Sequence, residues 1–120
     1  MKKCFDSDAD RNKVRLYKNR IAYEILQKDV LYISAYNGYI EAKVGNQTLR
    51  RDISLKKLES LLDPALFYRI NKSYIVNLHK IENYKNGKIK LDEFNFDVAR
   101  RKRKNFESVF QNFVEKEALK

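Results

Sequence analysis

Residues 30–52, VLYISAYNGYIEAKVGNQTLRRD, decide the fold of this chain. Short runs rich in β-branched and aromatic residues are separated here by Asn37-Gly38 and Gly45-Asn46, and such pairs accept the positive φ angles of tight hairpin turns. Strands joined by turns this short pair in opposite directions. The stretch therefore predicts antiparallel strands at residues 30–36, 39–44 and 48–52.

The same pattern extends on both sides of this stretch. Asn86-Gly87 adds another turn pair, so all three glycines of the chain are predicted to mark hairpin turns. Further strands are predicted at residues 14–17, 20–25, 68–70, 73–78, 88–91 and 95–98.

Two helices complete the predicted fold. Ser54 suits the N-cap of a short amphipathic helix that ends at Asp63-Pro64 and has one apolar face, formed by Leu55, Leu58, Leu61 and Leu62. Apolar residues from Phe106 to Val114 recur at helical spacing and predict a terminal helix over residues 100–118. The expected fold class is mainly β, with antiparallel sheets and hairpins, one short amphipathic helix and a C-terminal helix.

The composition favours one domain with an anionic partner. Because 120 residues can bury one core and residues 1–13 lack periodicity, we expect a flexible tail at 1–13 and a single domain at 14–120. Lys and Arg outnumber Asp and Glu by 26 to 16, and the net charge of +10 indicates nucleic acid first and an anionic membrane surface second. No apolar run could span a bilayer and the first residues do not resemble a signal peptide, so we expect a cytoplasmic protein without membrane contact.

The titratable residues argue against an enzyme. The chain has one His, His79, and one Cys, Cys4, which cannot form an intrachain disulfide or the usual nitrogen and sulfur ligand sets of a metal. The sequence has no nucleophile elbow, P-loop or Gly-rich dinucleotide motif, and the acidic pair Asp92-Glu93 falls at a predicted turn. We therefore expect no catalysis, metal, cofactor or small-molecule substrate.

The run of five basic residues at 100–104 is the plainest sign of a phosphate-rich partner. It falls at the start of the predicted terminal helix, whose free backbone N–H groups already suit an anion. Extending the apolar stripe backwards by helical steps turns Lys102 and Arg103 towards the core. Arg100, Arg101 and Lys104 then point elsewhere and are the better candidates for DNA.

Two predicted loops carry side chains that suit base recognition. Asn71-Lys72-Ser73 lies between two apolar strand segments, and Asn and Lys can bond base edges or a phosphate, although a simple polar turn is the alternative. Residues 36–39, Tyr-Asn-Gly-Tyr, suit either a plain hairpin or a close contact between the backbone and a ligand.

Four segments of the chain follow one another in an informative order. They are DVLYISAYNGYIEAKV at 29–44, SLKKLESLLDP at 54–64, FYRINKSYIVNLHKI at 67–81, and a VAR step at 98–100 before the basic residues. Over about residues 14–110 the chain resembles the LytTR DNA-binding domain of bacterial transcription regulators. The resemblance implies an antiparallel β fold that lays loops, rather than a recognition helix, into successive major grooves.

The resemblance also implies a set of contacts by position. The implied base contacts are Asn37 or Tyr39, Asn71, Lys72 and Arg100. The implied phosphate contacts are the nearby cations Lys43, Arg101 and Lys104. Asn71-Lys72 stands where the family commonly has a His-Arg pair, and Ala99 where it commonly has Ser, so the preferred bases need not be the common ones.

The function implied by the resemblance is sequence-specific binding of double-stranded DNA at paired direct repeats, for transcriptional regulation. The chain would be the output domain of a two-component response regulator or a free-standing regulator, with a second copy, a receiver domain and RNA polymerase as candidate partners. Non-specific binding of RNA or single-stranded DNA is the alternative, because tyrosine rings can stack on bases. A protein-interaction module is a further alternative, and it needs the face from Phe106 to Val114 to be exposed.

Overall fold

The computed structural model describes residues 12–118. Of the tail predicted at 1–13, residues 1–11 lie outside the described part, whereas Lys13 belongs to the first strand. Within residues 12–118 the strands are β1 Lys13–Lys18, β2 Ile21–Leu26, β3 Val30–Tyr36, β4 Tyr39–Val44, β5 Gln47–Arg51, β6 Phe67–Arg69, β7 Tyr74–Asn77, β8 Asn83–Lys85, β9 Lys88–Leu91 and β10 Phe94–Asp97. The helices are α1 Leu55–Glu59 and α2 Arg103–Ala118, and the 3-10 turns are η1 Gln27–Asp29, η2 Leu78–Lys80 and η3 Arg100–Lys102.

The strands of the described residues form two antiparallel sheets. The larger has seven strands in the order β2-β1-β5-β4-β3-β7-β6, and the smaller has three in the order β10-β9-β8. Short turns join most neighbouring strands, as the turn pairs in the sequence indicate. The predicted fold class, mainly β with antiparallel sheets, a short helix and a C-terminal helix, is confirmed.

The predicted strands agree with the observed ones to within one residue at each end, but β8 was not predicted. Asn83-Tyr84-Lys85 is short and has a single half-buried residue, so it shows no alternation by itself and becomes a strand by pairing with β9. Ser54 caps α1 as predicted, since its hydroxyl accepts a bond from the Lys57 N–H at 3.1 Å. The predicted end of this helix at Asp63-Pro64 and the place of Leu61 on its apolar face are wrong. The helix α1 ends at Glu59, and Leu61 is 48% exposed because it lies beyond the last helical residue.

Strands β3 and β7 of the large sheet contribute side chains to a hydrophobic core on each face, whereas β4 is buried on one face and half-buried on the other. One face packs against α1 in a core whose buried members include Leu16, Ile33 and Leu58. The other face packs against the small sheet and α2 in a second core that surrounds the fully buried Phe106. Removal of these side chains from water is the main stabilising term, so β3 and β7 are held from both sides.

The aromatic stripe of α2 belongs to this second core. Phe106 is buried, and Val109, Phe110 and Phe113 are partly buried against the same cluster, whereas Val114 is 44% exposed. Edge-on and tilted ring contacts join the stripe to Tyr68, Tyr84 and His79 on the body, while stacked contacts join Phe106, Phe110 and Phe113 within the stripe. Since the body of the same chain already covers most of the stripe, the exposed face that a protein-interaction module needs is reduced to its last turns.

The three glycines all have positive φ, at +89° for Gly38, +63° for Gly45 and +80° for Gly87. They lie in the β3–β4, β4–β5 and β8–β9 turns, which confirms their predicted role. Gly87 has a second reason to be glycine. A Cβ there would collide with the guanidinium of Arg103, which lies across the turn and donates to the Val98 carbonyl at 3.0 Å.

Candidate nucleic-acid interface

Two of the predicted contact loops lie side by side at one end of the large sheet. Tyr36↔Tyr39 is the last pair between β3 and β4, and residues 37–38 form the turn that follows it. On the opposite side of β3, the Ala35 N–H donates to the Ser73 carbonyl at 2.8 Å. We call residues 36–39 the first loop and residues 71–73 the central loop. Because both flank the same end of β3, they present their tips at one edge of the protein.

The segment after β10 joins this edge. The Ala99 N–H donates to the carbonyl of Ile70, the residue before the central loop, at 2.8 Å. The Asn71 amide Nδ2 donates to the Asp97 carbonyl, also at 2.8 Å. Arg100 therefore lies next to the central loop. One edge of the protein thus contains all the predicted base-contact residues, which are Asn37, Tyr39, Asn71, Lys72 and Arg100.

The first loop is held by aromatic rings. The rings of Tyr36 and Tyr39 stack with centroids 5.1 Å apart, and the Arg50 guanidinium lies 3.7 Å from the Tyr39 ring centroid. Asn37 is exposed, and none of the hydrogen bonds found among residues 12–118 involves its side chain. The Asn37 amide is therefore available to a ligand, whereas the ring of Tyr39 is already engaged by two neighbours.

The central loop is closed by its own first side chain. The Asn71 carbonyl oxygen Oδ1 accepts bonds from the N–H groups of Ser73 at 2.8 Å and Tyr74 at 2.9 Å. This is the local amide-to-backbone closure that makes Asn frequent in turns. Because Nδ2 also donates to the Asp97 carbonyl, both the oxygen and the nitrogen of the Asn71 amide are occupied by hydrogen bonds within the protein. The ammonium group of the next residue, Lys72, is exposed to solvent.

Arg69 supports the central loop from β6. Its Nε donates to the Asn71 carbonyl at 3.2 Å and its Nη2 to the Lys72 carbonyl at 3.0 Å. Its Nη1 lies 3.6 Å from a Glu59 carboxylate oxygen at the end of α1. The planar fork of Arg suits such paired acceptors, so one side chain satisfies two consecutive loop carbonyls.

The basic run divides into an inner and an outer set. Lys102 Nζ donates to the Arg69 carbonyl at 2.9 Å, and Arg103 donates to Val98, so both inner side chains are half-buried on the body. Burial, followed by the nearby charge of Arg69, lowers the pKa of Lys102. The outer set is exposed and consists of Arg100, Arg101 and Lys104. The inward orientation predicted for Lys102 and Arg103 is confirmed, while DNA contact by the outer set stays a prediction.

Lys43 is not brought to the edge formed by the loops. It lies on β4, four residues past Tyr39, which is about 14 Å along a strand. Its ammonium group is 5.8 Å from the centre of the Phe94 ring on the small sheet. Lys43 therefore stands apart from the other predicted contacts.

Three residues that support the loops were not singled out from the sequence: Tyr36 as a ring partner, Arg50 and Arg69. Strand alternation and the antiparallel register place Tyr39 and Arg50 on one face of the sheet, which would have been a usable signal. No such signal existed for Arg69, because its bonds to two loop carbonyls depend on the path of the loop itself.

The chain belongs to the LytTR DNA-binding domain family, whose model, described as the LytTr DNA-binding domain, matches residues 20–111. It is therefore a DNA-binding domain of a non-enzymatic class. Among solved structures it is similar to the LytTr DNA-binding domain of a putative methyl-accepting/DNA response regulator from Bacillus cereus. That match has a TM-score of 0.71 at 20% identity and covers 82% of this chain and 95% of the other. No curated protein matches the chain significantly.

The chemistry offered at this edge is hydrogen-bond donation and positive charge. Asn37, Lys72 and Arg100 present amide, ammonium and guanidinium donors, which suit base acceptors and phosphate oxygens. Among residues 12–118 no cluster of three or more His, Cys, Asp and Glu side chains is placed to hold a metal ion. In the same part of the chain, no helix has the length and apolar character needed to cross a bilayer.

Proposed function

We propose that this domain binds double-stranded DNA sequence-specifically and regulates transcription by placing its two loops and Arg100 in the major groove. The observation that carries the proposal is the row at one end of the sheet, where the first loop, the central loop and Arg100 follow one another. Loops on a rigid sheet can hold several donors at fixed spacing, which base recognition requires. A chromosomal partner would place the domain in the cytoplasm.

The structure supports a division of roles within the predicted contact set. Asn37, Lys72 and Arg100 are proposed to read bases, because their donors face solvent. Tyr39 and Asn71, predicted as base contacts, are proposed to act mainly by shaping the loops, because their side chains are engaged within the protein. The proposed phosphate contacts are Arg101 and Lys104, which are exposed and follow Arg100 in the basic run, and Lys43 on β4.

Two finer features of the proposal concern the assembly on DNA. We propose that two copies bind paired direct repeats, and that the domain acts as the output of a longer regulator that carries a receiver domain and contacts RNA polymerase. The family to which the chain belongs supports this, and so does the similar Bacillus cereus domain, whose parent protein is described as a response regulator. Selection of bound duplexes from a random pool tests the repeats, since recovery of a motif in one copy only would contradict them.

The roles of individual residues are tested on the duplex recovered from that selection. We expect Lys72→Ala and Arg100→Ala each to reduce discrimination against random duplex by about 1–3 kcal/mol, because each removes a base contact. Arg101→Ala should weaken binding to all duplexes alike, because a phosphate contact carries no sequence information. Fluorescence anisotropy at fixed salt measures both affinities. Equal losses on specific and random DNA for all three variants would favour non-specific binding, the alternative function.

A further inference from the structure

A chain of hydrogen bonds joins the central loop to the basic run, and the side chains that form it are not among the proposed DNA contacts. Lys102 Nζ bonds the Arg69 carbonyl at 2.9 Å, and the Arg69 guanidinium bonds the carbonyls of Asn71 and Lys72 at 3.2 and 3.0 Å. We call Lys102 and Arg69 the brace. Two base-reading residues lie at its ends, because Lys72 is in the loop and Arg100 lies two residues before Lys102 in η3.

The position of the brace residues separates them from DNA. The Arg69 side chain is 23% exposed, and its guanidinium is shared between two carbonyls and Glu59. Lys102 is half-buried and its ammonium group already donates to a carbonyl. Their cationic groups are therefore engaged in hydrogen bonds within the protein, whereas the outer cations of the basic run face solvent. These two neighbouring cations therefore maintain the geometry of the central loop and the basic run rather than contribute to phosphate affinity.

A second link reinforces the same connection. The Ala99 N–H bonds the Ile70 carbonyl at 2.8 Å, so the backbone before η3 is fixed to the last residue before the central loop. The brace then fixes the other side of that loop to the residues that follow Arg100. Bonds on both sides of Arg100 limit how far it can rotate relative to Lys72.

We propose that Arg69 and Lys102 are positioning residues that set the spacing between the Lys72 and Arg100 contacts, and thereby the selectivity of the domain, without touching DNA. The proposal rests on the proposed function, since it assumes that Lys72 and Arg100 read bases. When two base-contacting residues are no longer held at a fixed spacing, affinity for the specific duplex falls more than affinity for random duplex, because only the specific complex needs both contacts at once. Random duplex needs charge alone.

The chain provides a matched pair of variants to test this. Lys102→Met and Lys104→Met each remove one positive charge from the basic run and keep a long, unbranched side chain, but only Lys102 belongs to the brace. Affinities for the selected duplex and for random duplex are measured at several salt concentrations. The two readouts are the ratio of the affinities and the slope of log affinity against log salt.

We expect Lys102→Met to lower the selectivity ratio about tenfold, the loss of about one charge-assisted hydrogen bond, and to leave the salt slope unchanged. Lys104→Met should leave the ratio unchanged and reduce the magnitude of the salt slope by about 0.9, because it removes one phosphate contact. Arg69→Lys provides a second probe, because it keeps the charge but replaces the two nitrogens that bond the loop carbonyls, Nε and Nη2, by one. It should lower the ratio and keep the slope. Thermal unfolding shows that each variant is folded at the assay temperature.

Other results would overturn the inference in recognisable ways. If Lys102→Met reduces the salt slope like Lys104→Met and keeps the ratio, Lys102 is a phosphate ligand and the brace has no role in selectivity. The same conclusion holds if the Arg69→Lys variant has the same selectivity ratio as the wild type. If the wild-type domain itself binds selected and random duplex equally, the proposed function fails, which is a different outcome from failure of the brace.

Discussion

The first loop and the central loop lie at the same end of one sheet but are built by different means. The first loop is a two-residue turn with a glycine at φ +89°, held by the stack of Tyr36, Tyr39 and Arg50. The central loop is fixed by hydrogen bonds from Asn71 and Arg69 to its own backbone. Ring contacts tolerate sliding, whereas hydrogen bonds demand direction. The central loop is therefore held more rigidly than the first loop, which can adapt more readily.

The largest expected effect comes from breaking the rigid loop. Asn71→Ala removes two acceptor bonds and one donor bond to the backbone, so we expect the free energy of unfolding to fall by about 2–3 kcal/mol. Urea denaturation measures the change. Lys72→Ala is the control at the next position, and it should change stability by less than about 0.5 kcal/mol because Lys72 is exposed. Equal, small effects of the two substitutions would mean that the loop does not depend on the Asn71 amide.

A smaller effect is expected from the turn of the adaptable loop. Gly38→Ala forces an L side chain to φ +89°, although its Cβ would meet nothing within 4 Å, so only backbone strain opposes it. We expect a loss of about 1–2 kcal/mol in the free energy of unfolding. Gly38→Asn should lose less, because Asn tolerates this conformation better. If Gly38→Asn loses as much stability as Gly38→Ala, the turn requires the absence of a side chain at residue 38 rather than a residue that tolerates positive φ.

The smallest effect is expected from the ring stack itself. Tyr39→Leu keeps an apolar side chain on β4 but removes contacts with Tyr36 and Arg50, so we expect a loss of about 1 kcal/mol in stability. A double-mutant cycle with Arg50→Leu isolates the cation–π part, for which we expect a coupling of about 0.5 kcal/mol. A coupling near zero would assign the stabilisation to the Tyr36–Tyr39 pair alone.

Local signals predicted most of the fold and less of the candidate site. Strand bounds, the Ser54 cap and the turn glycines follow from periodicity and backbone chemistry, which act within a few residues. Helical phase also separated Lys102 and Arg103 from the exposed cations of the run. The role of Asn71 could not be read in this way. An amide suits a base edge and a loop backbone equally well, and only the path of the loop shows that it bonds Ser73, Tyr74 and Asp97.

The contact between Gly87 and Arg103 has a consequence for how the family can vary. The Arg103 side chain occupies the space that any larger residue at 87 would need, and it is fixed there by its bond to Val98. A relative that carries a side chain at the position of Gly87 must therefore hold the cation at the position of Arg103 in another rotamer or carry a shorter residue there. The two positions should covary in an alignment of homologues, sixteen residues apart in sequence, and one of the two inner cations of the basic run would then be inherited together with a hairpin turn.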